Sequence, residues 1–200
     1  MNWITTEAEL DRFYGAPGEA SLKKVARQVT PAYRAWLERS RFCLLATAGP
    51  EGTDCSPRGD DGPVVTELDP GTLALPDWRG NNRIDSLRNI VRDGRIAMTF
   101  LVPGAMNVVR VNGTARLGVE PALLARFARQ GKHPRCVIVI TIGEIYVQCA
   151  RAVMRAGLWS RDDAAGLPSV GDILTEMTQG AFDGAGYDAT WGARAEQTMW

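Results

Sequence analysis

After Arg41, apolar residues recur at every second position through much of the chain, the period of a β-strand with one buried face. The stretch 136–148 is instead almost continuously apolar, which predicts a central strand buried on both faces. Altogether the pattern predicts strands at 41–47, 53–58, 64–67, 72–75, 95–102, 106–117 and 136–148. Short turns separate most of them, so we expect antiparallel pairs that close into a small barrel.

The first forty residues have the 3.6-residue period of helices instead. Thr6 and Glu9 have the spacing of a capping box, and Thr30 before Pro31 fits a second helix start. The pattern predicts three helices, each with one apolar side. The apolar positions are Leu10, Phe13 and Tyr14 in the first, Leu22, Val25, Ala26 and Val29 in the second, and Tyr33, Trp36 and Leu37 in the third. The fold class predicted for the whole chain is α+β, mainly β.

Further helices are predicted between and after the strands, at 82–93, 120–130, 150–156 and 169–179. The glycine-rich segment 180–186 follows no strand pattern and opens no apolar helix, so we expect a loop there. No internal repeat is visible.

Composition narrows the class of protein. The chain has 200 residues with 23 Lys plus Arg against 23 Asp plus Glu, so it has no net charge with which to coat nucleic acid or an anionic membrane. No apolar run is long enough to span a bilayer, and the start of the chain lacks a signal pattern. We expect a single-domain cytoplasmic protein with no nucleic-acid or membrane partner and reduced, mostly buried cysteines.

The chain contains one histidine, His133. This excludes multi-histidine metal sites, and we predict no bound metal. A serine or cysteine nucleophile would have to use His133 as its base, yet this residue lies in a polar turn, 131–135, between two periodic segments. We therefore assign no catalytic residue.

The segment 75–86 carries the clearest chemical signal, because a strand ends there in a polar loop that opens a helix. Free N–H groups at a helix start, with Arg79 and Arg83 beside them, are typical of a phosphate site. Asn81 or Asn82 would cap the helix or donate to the ligand. The alternative is an ordinary capped surface helix with solvated arginines.

Two other polar stretches support this interpretation. The loop 56–63 combines Arg58, Asp60 and two glycines, which suits close approach by a planar ligand. The alternative is a surface turn with an internal Arg58–Asp60 pair. Arg110 and Asn112 share one polar strand face, which would hydrogen-bond the edge of a ring or simply face solvent.

In this order, 56–60, 75–90 and 110–113 resemble the motifs of pyridoxamine 5'-phosphate oxidase-like flavoproteins, and most closely those of an uncharacterised bacterial subgroup. The resemblance extends over about 41–159. It implies a six-stranded antiparallel split β-barrel of Greek-key type with flanking helices. It further implies a homodimer that holds FMN at the interface between its subunits.

The resemblance also assigns roles to residues. Asn81, Asn82 and Arg83, with Arg79 or Arg58, would bind the FMN phosphate, and Asp60 with the backbone at Gly59 would lie beside the flavin ring. Arg110 and Asn112 would reach over from the second subunit. The full implied cofactor site comprises Ser56, Arg58, Gly59, Asp60, Pro76, Asp77, Arg79, Asn81, Asn82, Arg83, Arg110, Asn112 and Trp159.

The chain departs from the family pattern after its last strand. Gln148 and Arg151 stand where the subgroup has histidine and lysine, and Cys149 between them is predicted to be a buried strand-end thiol or, alternatively, a redox group. The last residues, 196–200, do not match the R-L-x-P-type tail of the true vitamin B6 oxidase. The substrate is therefore expected to differ from pyridoxamine phosphate.

The resulting functional prediction is an FMN-dependent oxidoreductase that acts on a small molecule. A flavin carrier or sensor without turnover, a haem-related member of the same barrel group, and a structural dimer with an empty groove are the alternatives. The expected organisation is a helical segment at 1–40 packed on the barrel, the barrel at 41–159, and a helical extension at 160–200.

Overall fold

The computed structural model describes residues 1–199, which contain both β-strands and α-helices. Trp200, the last residue of the tail discussed above, lies outside the described residues. The strands are β1 (Phe42–Gly49), β2 (Gly52–Gly59), β3 (Thr66–Asp69), β4 (Thr72–Asp77), β5 (Arg95–Leu101), β6 (Val108–Gly118) and β7 (Cys136–Gln148). The helices are α1 (Glu7–Asp11), α2 (Glu19–Lys23), α3 (Pro31–Leu37), α4 (Asp85–Arg92), α5 (Pro121–Ala125), α6 (Arg151–Ala156), α7 (Val170–Met177) and α8 (Gly184–Thr198).

All seven strands pair antiparallel in one sheet of order β2-β1-β5-β6-β7-β4-β3. Each stretch with a two-residue period is therefore a strand, and the six-strand count implied by the resemblance is wrong. The expected closure is also wrong, since among residues 1–199 β2 and β3 remain the edges of the sheet. Pro57 lies in β2, where an edge strand tolerates its missing N–H group.

A single core packs against this sheet. Its largest fully buried side chains come from five different strands and include Leu45, Leu73, Phe100, Val111 and Ile140. Helix α4 packs on β1, contributes the buried Ile90 and donates a hydrogen bond from Asn89 Nδ2 to Thr47 Oγ1 at 3.1 Å. The core therefore fixes the orientation of the strand ends that form the site.

The pairing of β6 with β7 contains a bulge between Asn112 and Gly113. Gly143 is the extra residue on β7, because Asn112 pairs with Glu144 and Gly113 pairs with Ile142. The strands approach so closely that a Cβ atom at Gly113 would lie 2.1 Å from the Thr141 carbonyl oxygen. Only glycine fits this position.

The N-terminal helices are shorter than the periodicity predicts. The capping box of Thr6 and Glu9 is present, but α1 ends at Asp11 and leaves Phe13 and Tyr14 exposed. The expected helix through Val29 stops at Lys23 because the following residues join the sheet instead. Ala26 exchanges backbone hydrogen bonds with Ile145, and Val29 N–H donates to the Pro70 carbonyl at 2.7 Å.

Two further predicted helix boundaries are wrong. Helix α5 covers only the first half of 120–130, and turns replace the second half, where Arg129 and Lys132 exchange backbone hydrogen bonds and Gln130 has a positive φ of 48°. The segment 180–186, predicted as a loop, instead contains the start of α8, where the Asp183 side chain accepts a hydrogen bond from Gly186 N–H.

Helices α7 and α8 form a hairpin that sequence periodicity alone does not indicate. They cross at Gly171 and Gly184, where a Cβ atom at either glycine would lie within 2.2 Å of the other's carbonyl oxygen. Asp188 joins the same crossing by accepting hydrogen bonds from Ser169 Oγ at 2.5 Å and from Gly171 N–H at 3.0 Å. No helix within residues 1–199 has the length and apolar character needed to cross a membrane.

Candidate functional site

A cavity of about 1400 Å³ opens between the sheet and α8. Its floor is formed by the end of β2, the end of β4 and the loop that leads to α4, and α8 forms the opposite wall. Ten of the predicted site residues line it together: Ser56, Arg58, Gly59, Asp60, Pro76, Asp77, Arg79, Asn81, Asn82 and Arg83. Residues separated by up to 27 positions in the chain thus meet at one end of the sheet.

An ion pair between β2 and β4 forms the most enclosed part of the floor. Arg58 Nη1 donates to Asp77 Oδ1 at 2.6 Å, and the two side chains are 20% and 12% exposed. The surface-turn alternative required an ion pair between Arg58 and Asp60. Arg58 pairs with Asp77 instead. The Arg58 Nε atom is buried and has no hydrogen-bond acceptor among residues 1–199, so this donor is unsatisfied within one copy of the chain.

The loop between β4 and α4 differs from its prediction. Helix α4 begins at Asp85, and neither Asn81 nor Asn82 caps it. Asn82 has a positive φ of 61°, a conformation that asparagine tolerates and that stops the helix from extending back to 82. Asn81 Oδ1 accepts instead from Arg83 N–H at 2.9 Å, which forms a local turn.

The arginines around the cavity differ in how far their charge is compensated. Arg83 Nε donates to Asp85 Oδ2 at 2.6 Å, and this carboxylate raises the pKa of the Arg83 guanidinium. By contrast, Arg79, Arg135 and Arg194 make no ion pair with any side chain in residues 1–199. Arg135 Nη1 donates to the Asn82 amide oxygen at 2.7 Å. The cavity thus faces several guanidinium groups that lack a carboxylate partner.

Asp60 lies at the rim, where its side chain is 3% exposed and pairs with Arg129 at 2.6 Å. Burial raises the pKa of Asp60, while the Gly62 N–H group and Arg129 act in the opposite direction. Arg129 also pairs with Asp61 and stands over the Trp78 ring, with 5.8 Å between the guanidinium carbon and the ring centroid. These contacts hold loop 56–63 against the segment after β4.

Three predicted site residues do not line this cavity. Arg110 and Asn112 share one face of β6, as predicted, but there Arg110 stacks on Tyr146 at 5.4 Å and Asn112 Nδ2 donates to Glu144 Oε1 at 2.8 Å. Trp159 donates from Nε1 to the Ala105 carbonyl at 2.8 Å. Within one copy of residues 1–199, these three side chains are therefore separate from the floor.

The sequence prediction missed an entire wall of the cavity. Tyr187, Trp191 and Arg194 of α8 line it, as do Arg135 and Trp78. The α8 residues follow the predicted loop at 180–186, and the sequence analysis assigned to them only a general helical extension at 160–200 with no site residue. Their spacing of four and three residues would have placed them on one helix face.

The remaining reactive residues lie outside the centre of the site. His133 is exposed in its turn. Cys136 borders the cavity, and burial raises the pKa of its thiol to about 11. Cys43 and Cys136 are buried, whereas Cys55 and Cys149 are exposed, so the predicted burial of Cys149 is wrong. No cluster of three potential His, Cys, Asp or Glu metal ligands occurs in the described part of the chain.

Comparisons with known proteins agree with this fold. A family model described as pyridoxamine 5'-phosphate oxidase matches residues 29–149. A variant of HupZ from Group A Streptococcus is 18% identical, with 60% of this chain and 99% of that chain covered and a TM-score of 0.50. An FMN-binding protein from Syntrophomonas wolfei is 15% identical, with coverage of 57% and 86% and a TM-score of 0.42.

General Stress Protein 26 from Bacillus anthracis is 14% identical, with coverage of 57% and 88% and a TM-score of 0.44. A comparison with curated proteins gave no match. At 18% identity the likeness to the HupZ structure concerns the fold alone, and no inference is based on the two structures with TM-scores below 0.5. The family model, however, covers more than half of the 200 residues, from just before α3 to the end of β7. The chain therefore belongs to the pyridoxamine 5'-phosphate oxidase family.

Proposed function

We propose that the chain binds FMN in this cavity and acts as an FMN-dependent oxidoreductase on a small molecule. The observation that carries the proposal is the buried Arg58, whose Nε donor has no acceptor at a cavity lined by further guanidinium groups. A phosphate ester supplies the charge and the acceptor oxygens that this set lacks. The residues present therefore fit the flavin phosphate chemically.

Within this proposal, Arg58, Arg79 and Arg83 hold the phosphate, with the amides of Asn81 and Asn82 as further donors. Arg135 keeps Asn82 in place through its hydrogen bond to the amide oxygen. Ser56, Gly59, Pro76 and Asp77 form the floor against which the flavin ring lies, and Asp60 lies beside the ring at the rim. Asp77 acts by holding the guanidinium of Arg58 in position rather than by touching the anion.

Bound FMN supplies hydride transfer, the redox chemistry of the proposed enzyme. The chain itself positions the cofactor and limits the access of water to it. The buried Asp60 and its partner Arg129 fix the rim of the cavity. The assignment requires no acid or base from His133, which lies exposed in its turn.

A second copy of the chain completes the proposed site. Arg110, Asn112 and Trp159 lie away from the floor in one copy, and their proposed role is to reach the cofactor of a partner subunit in a homodimer. Arg110 and Asn112 project from the same face of β6, so one interface would present both. Sedimentation with and without FMN measures the oligomeric state, and a protein that stays monomeric while binding FMN contradicts this part.

Titration of the purified protein with FMN tests the proposal directly. We expect a yellow complex and quenching of flavin fluorescence on binding. Arg58→Lys keeps the charge near Asp77 but loses the planar donor set, so it should weaken FMN binding about tenfold or more. Arg161→Lys is the matched control, because Arg161 pairs with Asp163 outside the cavity.

A protein that emerges colourless and takes up no added FMN contradicts the proposal. Turnover requires a further measurement, in which NADH, NADPH and a reduced deazaflavin are offered to the FMN complex. Rapid bleaching of the flavin absorbance by one of these donors is the expected result. Tight FMN binding without reduction by any donor would leave a flavin-binding module and remove the oxidoreductase activity.

A further inference from the structure

Helix α8 presents one continuous face to the cavity. The face consists of Tyr187, Trp191, Arg194, Ala195 and Thr198, which follow each other at intervals of four, three, one and three residues. This is the spacing of one side of an α-helix. The helix lies outside the family match at 29–149, so this wall belongs to the chain's own extension.

The cavity has more room than one small molecule needs. Its volume of about 1400 Å³ exceeds the roughly 300–1,000 Å³ that is typical of a site for a single ligand. The residues proposed to hold FMN within one copy of the chain lie on or beside the floor formed by β2, β4 and the loop before α4. The space beside α8 therefore remains for a second molecule.

The chemistry of the α8 wall differs from that of the floor. Arg194 stands over the Tyr187 ring, with 4.9 Å between the guanidinium carbon and the ring centroid, and it makes no ion pair in residues 1–199. Trp191, one helical turn from Tyr187, is 52% exposed although it lines the cavity. An open indole face suits stacking with a flat ring, and a guanidinium without a counter-ion suits a carboxylate.

We propose that the α8 wall is the substrate-recognition surface and takes a planar aromatic substrate that carries a carboxylate. Trp191 stacks on the ring of the substrate, and Arg194 binds its anionic group. Arg194 is held for this contact by the Tyr187 ring beneath it. The substrate assignment rests on the proposed FMN function, whereas the binding of aromatic anions by the wall can be measured without FMN.

Equilibrium dialysis with 2-naphthoate and its neutral analogue 2-naphthamide tests the proposal on the full chain, with and without FMN. We expect 2-naphthoate to bind about tenfold more tightly than 2-naphthamide, as one added charge-assisted hydrogen bond provides. Arg194→Gln should remove this preference, and Arg194→Lys should retain part of it. Trp191→Ala should weaken both probes about fivefold through lost stacking.

Arg155→Gln is the matched control, since Arg155 is an exposed arginine of α6 that does not line the cavity. It should leave the binding of both probes unchanged. FMN titrations of the same variants separate the two proposals, because Arg194→Gln and Trp191→Ala should change FMN affinity less than twofold. A chain that ignores FMN but still prefers 2-naphthoate through Arg194 would contradict only the flavin function.

Three results would overturn the α8 wall as the recognition surface. The first is that neither probe binds to the wild-type chain, and the second is equal binding of the two probes. The third is that Arg194→Gln weakens FMN binding while the preference for 2-naphthoate persists. That last result would instead assign Arg194 to the cofactor.

Discussion

The floor and the α8 wall of the cavity are built in different ways. On the floor, Arg58 and Asp77 lie on two strands of the central sheet and are 20% and 12% exposed. On the wall, Trp191 is 52% exposed and stands on a helix that packs mainly against α7. The floor therefore shares the stability of the whole sheet, whereas the wall depends on one helix hairpin.

This difference separates two tasks of a binding site. A cofactor that stays bound needs donors whose positions do not fluctuate, and these are best supplied by side chains locked between strands. A substrate that enters and leaves needs a wall that can open without unfolding the protein, and such elements have low local stability. The two regions should therefore respond differently to the same kind of mutation.

The largest effect is expected from Gly113→Ala in the sheet. The new Cβ atom would lie 2.1 Å from the backbone oxygen of Thr141, so β6 and β7 would have to separate at their bulge. We expect the free energy of unfolding to fall by about 3 kcal/mol, at the upper end for overpacking. Urea unfolding measures this loss, and an unchanged midpoint would contradict the close approach.

Asp77→Ala should have the next largest effect, because it leaves the guanidinium of Arg58 largely buried without its carboxylate. The pair is intermediate between buried and surface pairs, so we expect a loss of about 2 kcal/mol in the free energy of unfolding. Asp163→Ala breaks an exposed pair with Arg161 and serves as the control, with no measurable change expected. Equal losses of stability in the two variants would contradict the prediction that the enclosed Arg58–Asp77 pair contributes more than an exposed pair.

Gly184→Ala makes the same chemical change as Gly113→Ala, but in the hairpin. Its Cβ atom would lie 2.1 Å from the Gly171 carbonyl oxygen, so α7 and α8 would be forced apart. We expect local stability to fall by about 1 to 3 kcal/mol, seen as faster hydrogen exchange in α8, while exchange in β7 stays slow.

Gly192→Ala is the control for that substitution, since a Cβ atom there would meet no heavy atom of residues 1–199 within 4 Å apart from the backbone of its own helix and its chain neighbours. It should slow exchange in α8 slightly, because alanine favours the helix. Faster exchange throughout β7 in Gly184→Ala would show instead that the hairpin and the sheet unfold together.

The sheet was predictable from the sequence because its signal is local. Every stretch of alternating residues became a strand, and β7 has the predicted bounds, Cys136–Gln148. The N-caps at Thr6 and Thr30 were also predictable, since a cap and the residues it satisfies lie within one turn. Burial on one face is enough to specify such elements.

The arrangement of the site was not predictable in the same way, because its contacts join distant parts of the chain. Arg58 and Asp77 are 19 positions apart, on β2 at one edge of the sheet and on β4 next to the other edge, so no local spacing indicates their pairing. The left-handed backbone at Asn82 moved the start of α4 to Asp85. The residues proposed to bind the phosphate, Asn81, Asn82 and Arg83, therefore lie in the loop and not in the helix.

The packing of α7 against α8 is a second example of a contact that local sequence patterns do not indicate. Gly171 and Gly184 weaken any helix prediction, yet the contact between them is what allows α7 and α8 to pack. Only the fold reveals that these glycines meet, and the face of α8 gains meaning only when the cavity lies opposite it. In this chain the glycine-rich segment therefore marks a helix crossing and not a loop.

The smallest predicted effect concerns acid, which should weaken the sheet with its packed helix α4 and the α7–α8 hairpin separately. Hydrogen bonds from Arg95 lower the pKa of Asp93, at the end of α4, to about 2, and the Ser169 N–H group lowers that of Asp172 in α7. A carboxyl with a lowered folded-state pKa stabilises the fold above its unfolded pKa, and this contribution is lost as pH falls below about 4.

In Asp93→Asn the thermal midpoint should therefore be lower than in the wild type at neutral pH, and the difference should shrink towards pH 2. Asp172→Asn should show the same trend only in the hydrogen exchange of α7, because its carboxylate caps a helix that the sheet does not need. A pH-independent difference for Asp93→Asn would mean that packing, rather than the charge on the carboxylate, is what the substitution removes.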